Sequence, residues 1–339
     1  MDHRKNFILG AILKSYVETS EPIGSRTLKR LYDMDVSAAT IRNEMSDLEH
    51  LGYLMKAHSS SGRIPSQQAY RWYVDTILSR GLDQNVVPAL LETSLLSQSN
   101  ELESVLDNAC QILVEMTGCA ALFVLPGRTE DKLMKIALIP LSDREALFLA
   151  VYDSKAIQTE LIHFSSSYDM KRMERIGEIF QEIFVDHSVQ EIYELLSSHF
   201  FPQNFTKGNL MSEMVHFFRI ELEKSMAAKV SYKGLTKLYQ MEAYGDITET
   251  TNFIHDLLND KNLANLLVKP SDKDLEVYIG GESAIDKLES SSIILAPFQL
   301  KGDLLGKIGI LGPMNIPYHK LLGDVDRMAR YVNSIVTRN

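Results

Sequence analysis

Arg42 and Asn43 have the most specific chemistry in the chain to offer. A guanidinium bonds bidentately to the major-groove edge of guanine and a carboxamide to that of adenine, so an adjacent Arg and Asn on an exposed helix face make a pair of base readers. The same face carries Ala39, Ser46 and His50. Thr40 and the alanines are small enough to approach a thymine methyl. Lys56, His58, Ser59, Ser60 and Arg63 follow, and Arg26, Lys29 and Arg30 precede; these are donors and positive charges suited to phosphate or the minor groove. Singly, each has a plain alternative. Arg42 could form a surface salt bridge with Glu49 or Asp47, and Lys56 and Arg63 could sit on a solvated hairpin.

The elements that must position these residues are written in the surrounding pattern. Ile8, Leu9, Ile12, Leu13, Tyr16 and Val17 fall at helical spacing between Phe7 and Val17. Pro22 breaks the chain, Gly24 or Ser25 can cap a second helix, and Leu28, Leu31 and Tyr32 form its apolar stripe. Ser37 is a good N-cap for a third helix over 38–51, with core face Ile41, Met45 and Leu48, and Gly52 stands where a left-handed residue ends it. Segments 53–58 and 63–65 flank Ser59-Ser60-Ser61-Gly62 and read as a small β-hairpin. Ser66 can cap a further helix bearing Tyr70, Tyr73, Val74 and Ile77. Three helices and a hairpin in this order predict a winged helix-turn-helix, whose third helix enters the major groove. A winged helix serving as a structural or protein-binding module is the bland alternative.

Catalytic chemistry is poorly supported. The chain has no Cys-x-x-Cys, His-Glu-x-x-His or Gly-x-Ser-x-Gly pattern, and its nine histidines are scattered, so neither catalytic residues nor a metal or cofactor is expected. Gly302 to Ile308 approaches a phosphate loop, but it is one residue short between the glycines and has Ile308 where Ser or Thr belongs, which favours a hairpin turn. Cys110 and Cys119 sit in apolar contexts that suit core packing better than redox sensing.

A linker is expected over 79–84 and a long helix over 86–116. Strands are predicted at 120–125, 133–140, 146–152 and 157–164, helices between Met170 and Met226, and strands again at 275–279, 293–298 and 305–311 before a last helix with face Leu321, Val325, Met328, Val332 and Ile335. The helical material interrupting a sheet suggests an inserted subdomain. No internal repeat stands out.

The charge is distributed to match. Of 35 Lys and Arg against 45 Asp and Glu, residues 1–80 hold 11 against 9, net +2, which leaves 24 against 36, net −12, for the rest. The basic surplus therefore belongs to the segment with the base readers, and the acidic remainder discourages contact with DNA. At 339 residues, 45% apolar and 24% charged, the composition is that of a globular chain of two or three domains. Two cysteines argue against a secreted disulfide framework, and no apolar run approaches a membrane span, so a cytoplasmic protein without membrane contact is expected.

Several motifs together resemble the HrcA family of heat-inducible transcription repressors. They are Glu21-Pro22-Ile23-Gly24-Ser25-Arg26-Thr27-Leu28, the run from Val36 to Met45, Gly52-Tyr53-Leu54, His58 to Pro65 and Tyr70-Arg71-Trp72-Tyr73-Val74-Asp75. Tyr278-Ile279-Gly280-Gly281-Glu282 and Leu305 to Pro313 extend the resemblance towards the C-terminus, while Met314-Asn315-Ile316 stands where the family carries a Thr-Arg-Met-like run. The resemblance implies an α+β protein with a winged helix-turn-helix over 1–80, a GAF-like domain over 86–143 and 245–339, and a dimerising domain inserted at 144–244. It also implies a homodimer that binds an inverted-repeat operator in double-stranded DNA, represses chaperone operons of the groE and dnaK type, and needs the GroEL chaperonin as partner. A ligand-responsive repressor sensing through the GAF-like domain is the alternative.

Overall fold

The apolar spacing at Ile8, Leu9, Ile12 and Leu13 produces α1 (His3–Thr19), with all four side chains buried. The computed structural model describes residues 2–57, 62–82, 102–259, 263–264, 267–269, 273–283, 288–299 and 305–336. Helices α2 (Ser25–Tyr32) and α3 (Ala38–His50) pack on α1 and on each other, and an antiparallel hairpin follows, β1 (Leu54–Lys56) with β2 (Arg63–Pro65). Helix α4 (Gln67–Arg80) begins at Ser66, whose hydroxyl accepts from the Ala69 amide at 3.3 Å and donates to the Gly52 carbonyl at 2.6 Å. The cap thus ties the start of α4 to the end of α3. Residues 59–61 of the expected hairpin tip, the last two residues of the expected linker and the first half of the expected long helix lie outside the described residues.

Two compact units divide the chain. The first, Met1–Val124 with Val230–Asn339, contains α1–α4 and a five-stranded sheet in the order β7-β3-β10-β9-β8. Its strands are β3 (Ala120–Leu125), β7 (Lys229–Lys233), β8 (Glu276–Ile279), β9 (Ser291–Gln299) and β10 (Leu305–Pro313). Alternate residues of β3 and β9, with Leu311 of β10, join a core on one face together with Leu238 and with Leu257 of α9 (Ile247–Asn259). Helices α5 (Leu102–Thr117) and α10 (Tyr318–Val336) also pack against this sheet. A sheet covered on both faces buries successive positions, which is why β3 and the 293–298 stretch of β9 read as apolar runs.

The second unit, Leu125–Lys229, holds a three-stranded antiparallel sheet of β4 (Leu133–Pro140), β5 (Glu145–Tyr152) and β6 (Ile157–His163). Its core is built with α6 (Met170–Phe184), α7 (Val189–Leu196) and α8 (Leu210–Met226). Strand β5 alternates strictly: Ala146, Phe148, Ala150 and Tyr152 are buried, and Leu147, Leu149 and Val151 only half-buried. The molecule is an α+β protein, its sheets built on antiparallel pairing with helices packed against them.

The boundaries differ from the expected insertion at 144–244. Strand β4 pairs with β5 from Leu133↔Tyr152 to Pro140↔Ala146, and a cut at 143 would split that hairpin. At the other end β7 adds to the edge of the larger sheet and Leu238 enters its core, which returns residues 230–244 to the first unit. Strand β7 and helix α9 were not anticipated; β7 is short, carries two lysines and is only partly buried, so it lacks an apolar signal.

Candidate nucleic-acid interface

Helix α3 is specified at both ends by local chemistry. The Ser37 hydroxyl accepts from the Thr40 amide at 3.0 Å, filling one of the donors that a helix start leaves open. At the other end Gly52 adopts φ +84°, with its amide bonded to the Glu49 carbonyl at 3.0 Å and that of Tyr53 to the Leu48 carbonyl at 2.9 Å. Ile41, Met45 and Leu48 are buried. The opposite face presents Ala39, Arg42 and Asn43 exposed and Ser46 partly exposed. Thr40, also partly exposed, shares a 2.9 Å hydroxyl contact with Ser37, and His50 is exposed with Nδ1–H donating to the Ser46 carbonyl at 2.8 Å. The structure thus brings the expected base readers together on one solvent-facing surface.

All three acids of α3 are drawn into ion pairs with cations from elsewhere. Glu44 meets Lys5 at 2.9 Å and Arg4 at 3.6 Å, Asp47 meets Lys5 at 3.2 Å, and Glu49 meets Arg63 at 2.8 Å and Lys56 at 3.6 Å. Arg42 therefore has neither of its suggested partners, and among the described residues it forms no ion pair. The same holds for Arg26, Lys29 and Arg30, all exposed. Their charge is available to a ligand.

Lys56 and Arg63 face each other across the β1–β2 hairpin and converge on Glu49. Arg63 is also a fixture of the backbone: its amide and carbonyl exchange hydrogen bonds of 3.0 and 3.1 Å with Ile23, just before α2. Gly62 makes this approach possible, since a Cβ there would lie 2.9 Å from Pro22. The base of the hairpin is thereby joined to the start of α2 through backbone and to the end of α3 through Glu49. His58 and Ser59 lie outside the described residues.

Between α2 and α3 lies a groove of about 400 Å³ lined by Gly24, Ser25, Arg26, Thr27, Arg42, Met45 and Arg63. Gly24, the N-cap of α2, has no side chain to satisfy the first amides of that helix. Three arginines thus line the groove beside a helix start without a side-chain cap, an arrangement that can accept an anion. The role of Glu49 was missed by sequence reasoning. Its signal was present, since an acid in the last turn of α3 precedes two cations that hairpin register places side by side.

Cys110 and Cys119 are free and buried, and burial raises both thiols, Cys119 to about 11, which suppresses the reactive thiolate. No group of three or more His, Cys, Asp or Glu among the described residues could hold a metal ion. No helix among them is long and apolar enough to cross a membrane.

Residues 103–322 match the family model described as the HrcA protein C terminal domain. The chain belongs to the HrcA family. Similar proteins named heat-inducible transcription repressor HrcA include that of Thermoanaerobacter pseudethanolicus, 29% identical, covering 99% of this chain and 97% of the relative. Those of Shouchella clausii, 29% identical, and Desulfitobacterium hafniense, 28% identical, each cover 99% of this chain and 98% of their own length. A solved crystal structure described as a hypothetical protein has the same fold, with a TM-score of 0.62 at 19% identity over 100% of this chain and 98% of that one. HrcA is a family of transcription repressors, not of enzymes. The family model begins beyond the DNA-reading candidates, but the relatives align across them.

Proposed function

We propose that α2, α3 and the β1–β2 hairpin form a winged helix-turn-helix that reads double-stranded DNA, and that the chain represses chaperone operons by binding an inverted-repeat operator as a homodimer. One observation carries this reading: Arg42, exposed and without an ion pair among the described residues, stands beside exposed Asn43 on a helix whose acids are occupied by other cations. Ala39, Thr40, Arg42, Asn43 and Ser46 would meet base edges, and Lys56, His58, Ser59 and Arg63 the backbone. The groove with Arg26 and Arg42 offers a phosphate seat.

The homodimer has support in the second unit. Across the outer face of its sheet, Ile139, Leu147 and Leu161 form one row and Val151 with Ile157 part of another, with Leu149 between them. Ile139, Ile157 and Leu161 are 45, 66 and 49% exposed. A contiguous apolar face of this kind is costly to leave in water, and a second copy would cover it. On this reading Leu125–Lys229 is the dimerising unit, inserted into a GAF-like domain of the five-stranded sheet with α5, α9 and α10. The names of the relatives support heat-inducible control; on this reading the chain also requires GroEL and acts in the cytoplasm.

Footprinting on DNA upstream of chaperone operons, with and without GroEL, tests the reading. Protection of an inverted repeat that strengthens with GroEL is expected; a GroEL-independent footprint altered by a metabolite would instead favour a ligand sensor. Leu161→Asp should yield a folded monomer by light scattering, and an unchanged dimer would reject this face as the interface.

A further inference from the structure

Two of the sequence motifs have no part in reading DNA: Tyr70 to Asp75 on α4, and Tyr278 to Glu282 at the end of β8. They meet. The Arg71 guanidinium forms a two-pronged pair with Glu282, Nε to Oε1 at 2.8 Å and a terminal nitrogen to Oε2, and that same nitrogen donates to the Val277 carbonyl at 2.5 Å. Glu282 is held from its own side by the Ile279 amide, 3.0 Å from Oε2. One turn earlier on α4, Gln67 Oε1 accepts from the Gly281 amide at 3.3 Å. Gly280 has φ +55°, and a Cβ there would stand 2.8 Å from Gln67 Oε1 and 2.9 Å from the Glu289 carbonyl, so the close approach of α4 requires glycine. Buried Tyr70 packs its ring 6.0 Å from that of buried Tyr318 on α10.

We propose that Arg71 and Glu282 are positioning residues for operator binding: their latch fixes the DNA-reading unit on the five-stranded sheet, so that a homodimer presents its two recognition helices at one set spacing. The inference rests on the dimeric-operator reading above. Its physical basis is the fork-shaped pair. A bidentate guanidinium–carboxylate contact fixes direction as well as distance, and here both partners are further oriented by backbone groups of β8 and the turn after it. Helix α4 continues directly from the hairpin through the Ser66 cap, and that cap also holds the end of α3. Orientation set at Arg71 is therefore passed to the helix carrying Arg42 and Asn43. Two rigidly held readers bind a correctly spaced repeat with a high effective concentration for the second contact; two loosely held readers lose that gain and tolerate other spacings.

The test uses the full chain, with operator duplexes defined by footprinting. It compares a single half-site, the native inverted repeat, and repeats with the spacer lengthened by about half a helical turn, roughly 5 base pairs. The wild type should lose at least about tenfold in affinity when the spacer changes. Arg71→Ala and the milder Glu282→Gln should bind the single half-site within about twofold of wild type, bind the native repeat about tenfold more weakly, and show less than about threefold dependence on spacer. Thermal unfolding read alongside identifies a variant that fails to fold, and Glu282→Gln keeps the side-chain shape for that case. Wild-type spacer dependence in both variants would overturn the latch, as would equal losses on half-site and repeat. A wild type with no preference for any DNA sequence would remove the operator reading and the latch with it.

Discussion

Replacing Glu49 with glutamine should make the protein bind DNA more tightly and less selectively. The carboxylate lies 2.8 Å from Arg63 and 3.6 Å from Lys56, the two hairpin cations proposed to meet the DNA backbone. A phosphate brought to the far side of either cation would stand about 7 Å from Glu49, where repulsion in a water-like medium is about 0.6 kcal/mol. Two such phosphates together meet about 1.2 kcal/mol of repulsion, so its relief in Glu49→Gln strengthens random-sequence binding about eightfold. Each cation released to a phosphate should also steepen the salt dependence of log K by about 0.9, hence by about 1 to 2 in all. Fold stability falls by no more than about 1 kcal/mol for the exposed Lys56 pair and by more for the part-buried Arg63 pair. Operator binding should gain less than random DNA, because the hairpin loses its tie to α3. Fluorescence anisotropy with operator and scrambled duplexes between low and moderate salt measures all three quantities. An unchanged or shallower salt slope in Glu49→Gln would refute the idea that this carboxylate restrains the hairpin cations.

Arg42→Ala should leave thermal stability within about 0.5 kcal/mol of wild type, because the side chain is exposed and unpaired among the described residues, yet cost about 1 to 3 kcal/mol of operator binding and relax one base preference. Lys56→Ala should weaken all sequences alike, and equal losses on operator and random DNA for Arg42→Ala would remove it as a base reader. Lys307 and Glu276 form a buried pair at 2.6 Å, so Lys307→Met should destabilise the larger sheet by about 3 to 5 kcal/mol in denaturant unfolding, with much of the loss recovered when Glu276→Met is added. A single-variant loss below about 1 kcal/mol would show that the pair matters little. Glu213 has its carboxyl held below the ordinary range: burial alone would raise it, but bonds from Ser165, Tyr168 and the Gly208 amide outweigh burial. Its contribution is therefore full above the unfolded carboxylate range and is lost as pH falls through the lower folded value. The gap in unfolding temperature between wild type and Glu213→Gln should narrow on acidification, and a constant gap would contradict this account.

Much of the fold was legible because its signals are local. The N-caps Ser37 and Ser66, the left-handed Gly52 and the buried faces of α1 and α3 each depend on residues no more than one or two turns apart. Strand β3 and the 293–298 stretch of β9 read as apolar runs because both faces of their sheet are covered. The second unit was placed about 15 to 20 residues too late because nothing within β4 states that its partner is β5. Strand β7 pairs at a sheet edge with two lysines and sends no periodic signal.

For the candidate site the division is the same. By itself the sequence determined that Arg42 and Asn43 share an outward helix face, since helical period and the burial of Ile41, Met45 and Leu48 decide which residues point away. It could not determine that Glu49 belongs to Arg63 and Lys56 while Arg42 stays unpaired; several acids lay within reach of each cation, and hairpin register made the choice. Nor could it join Arg71 to Glu282 across 211 residues. Caps and periodicity arise from neighbours along the chain, whereas ion-pair choice, domain limits and the seating of α4 on the sheet arise from packing between distant segments, which only the tertiary structure decides.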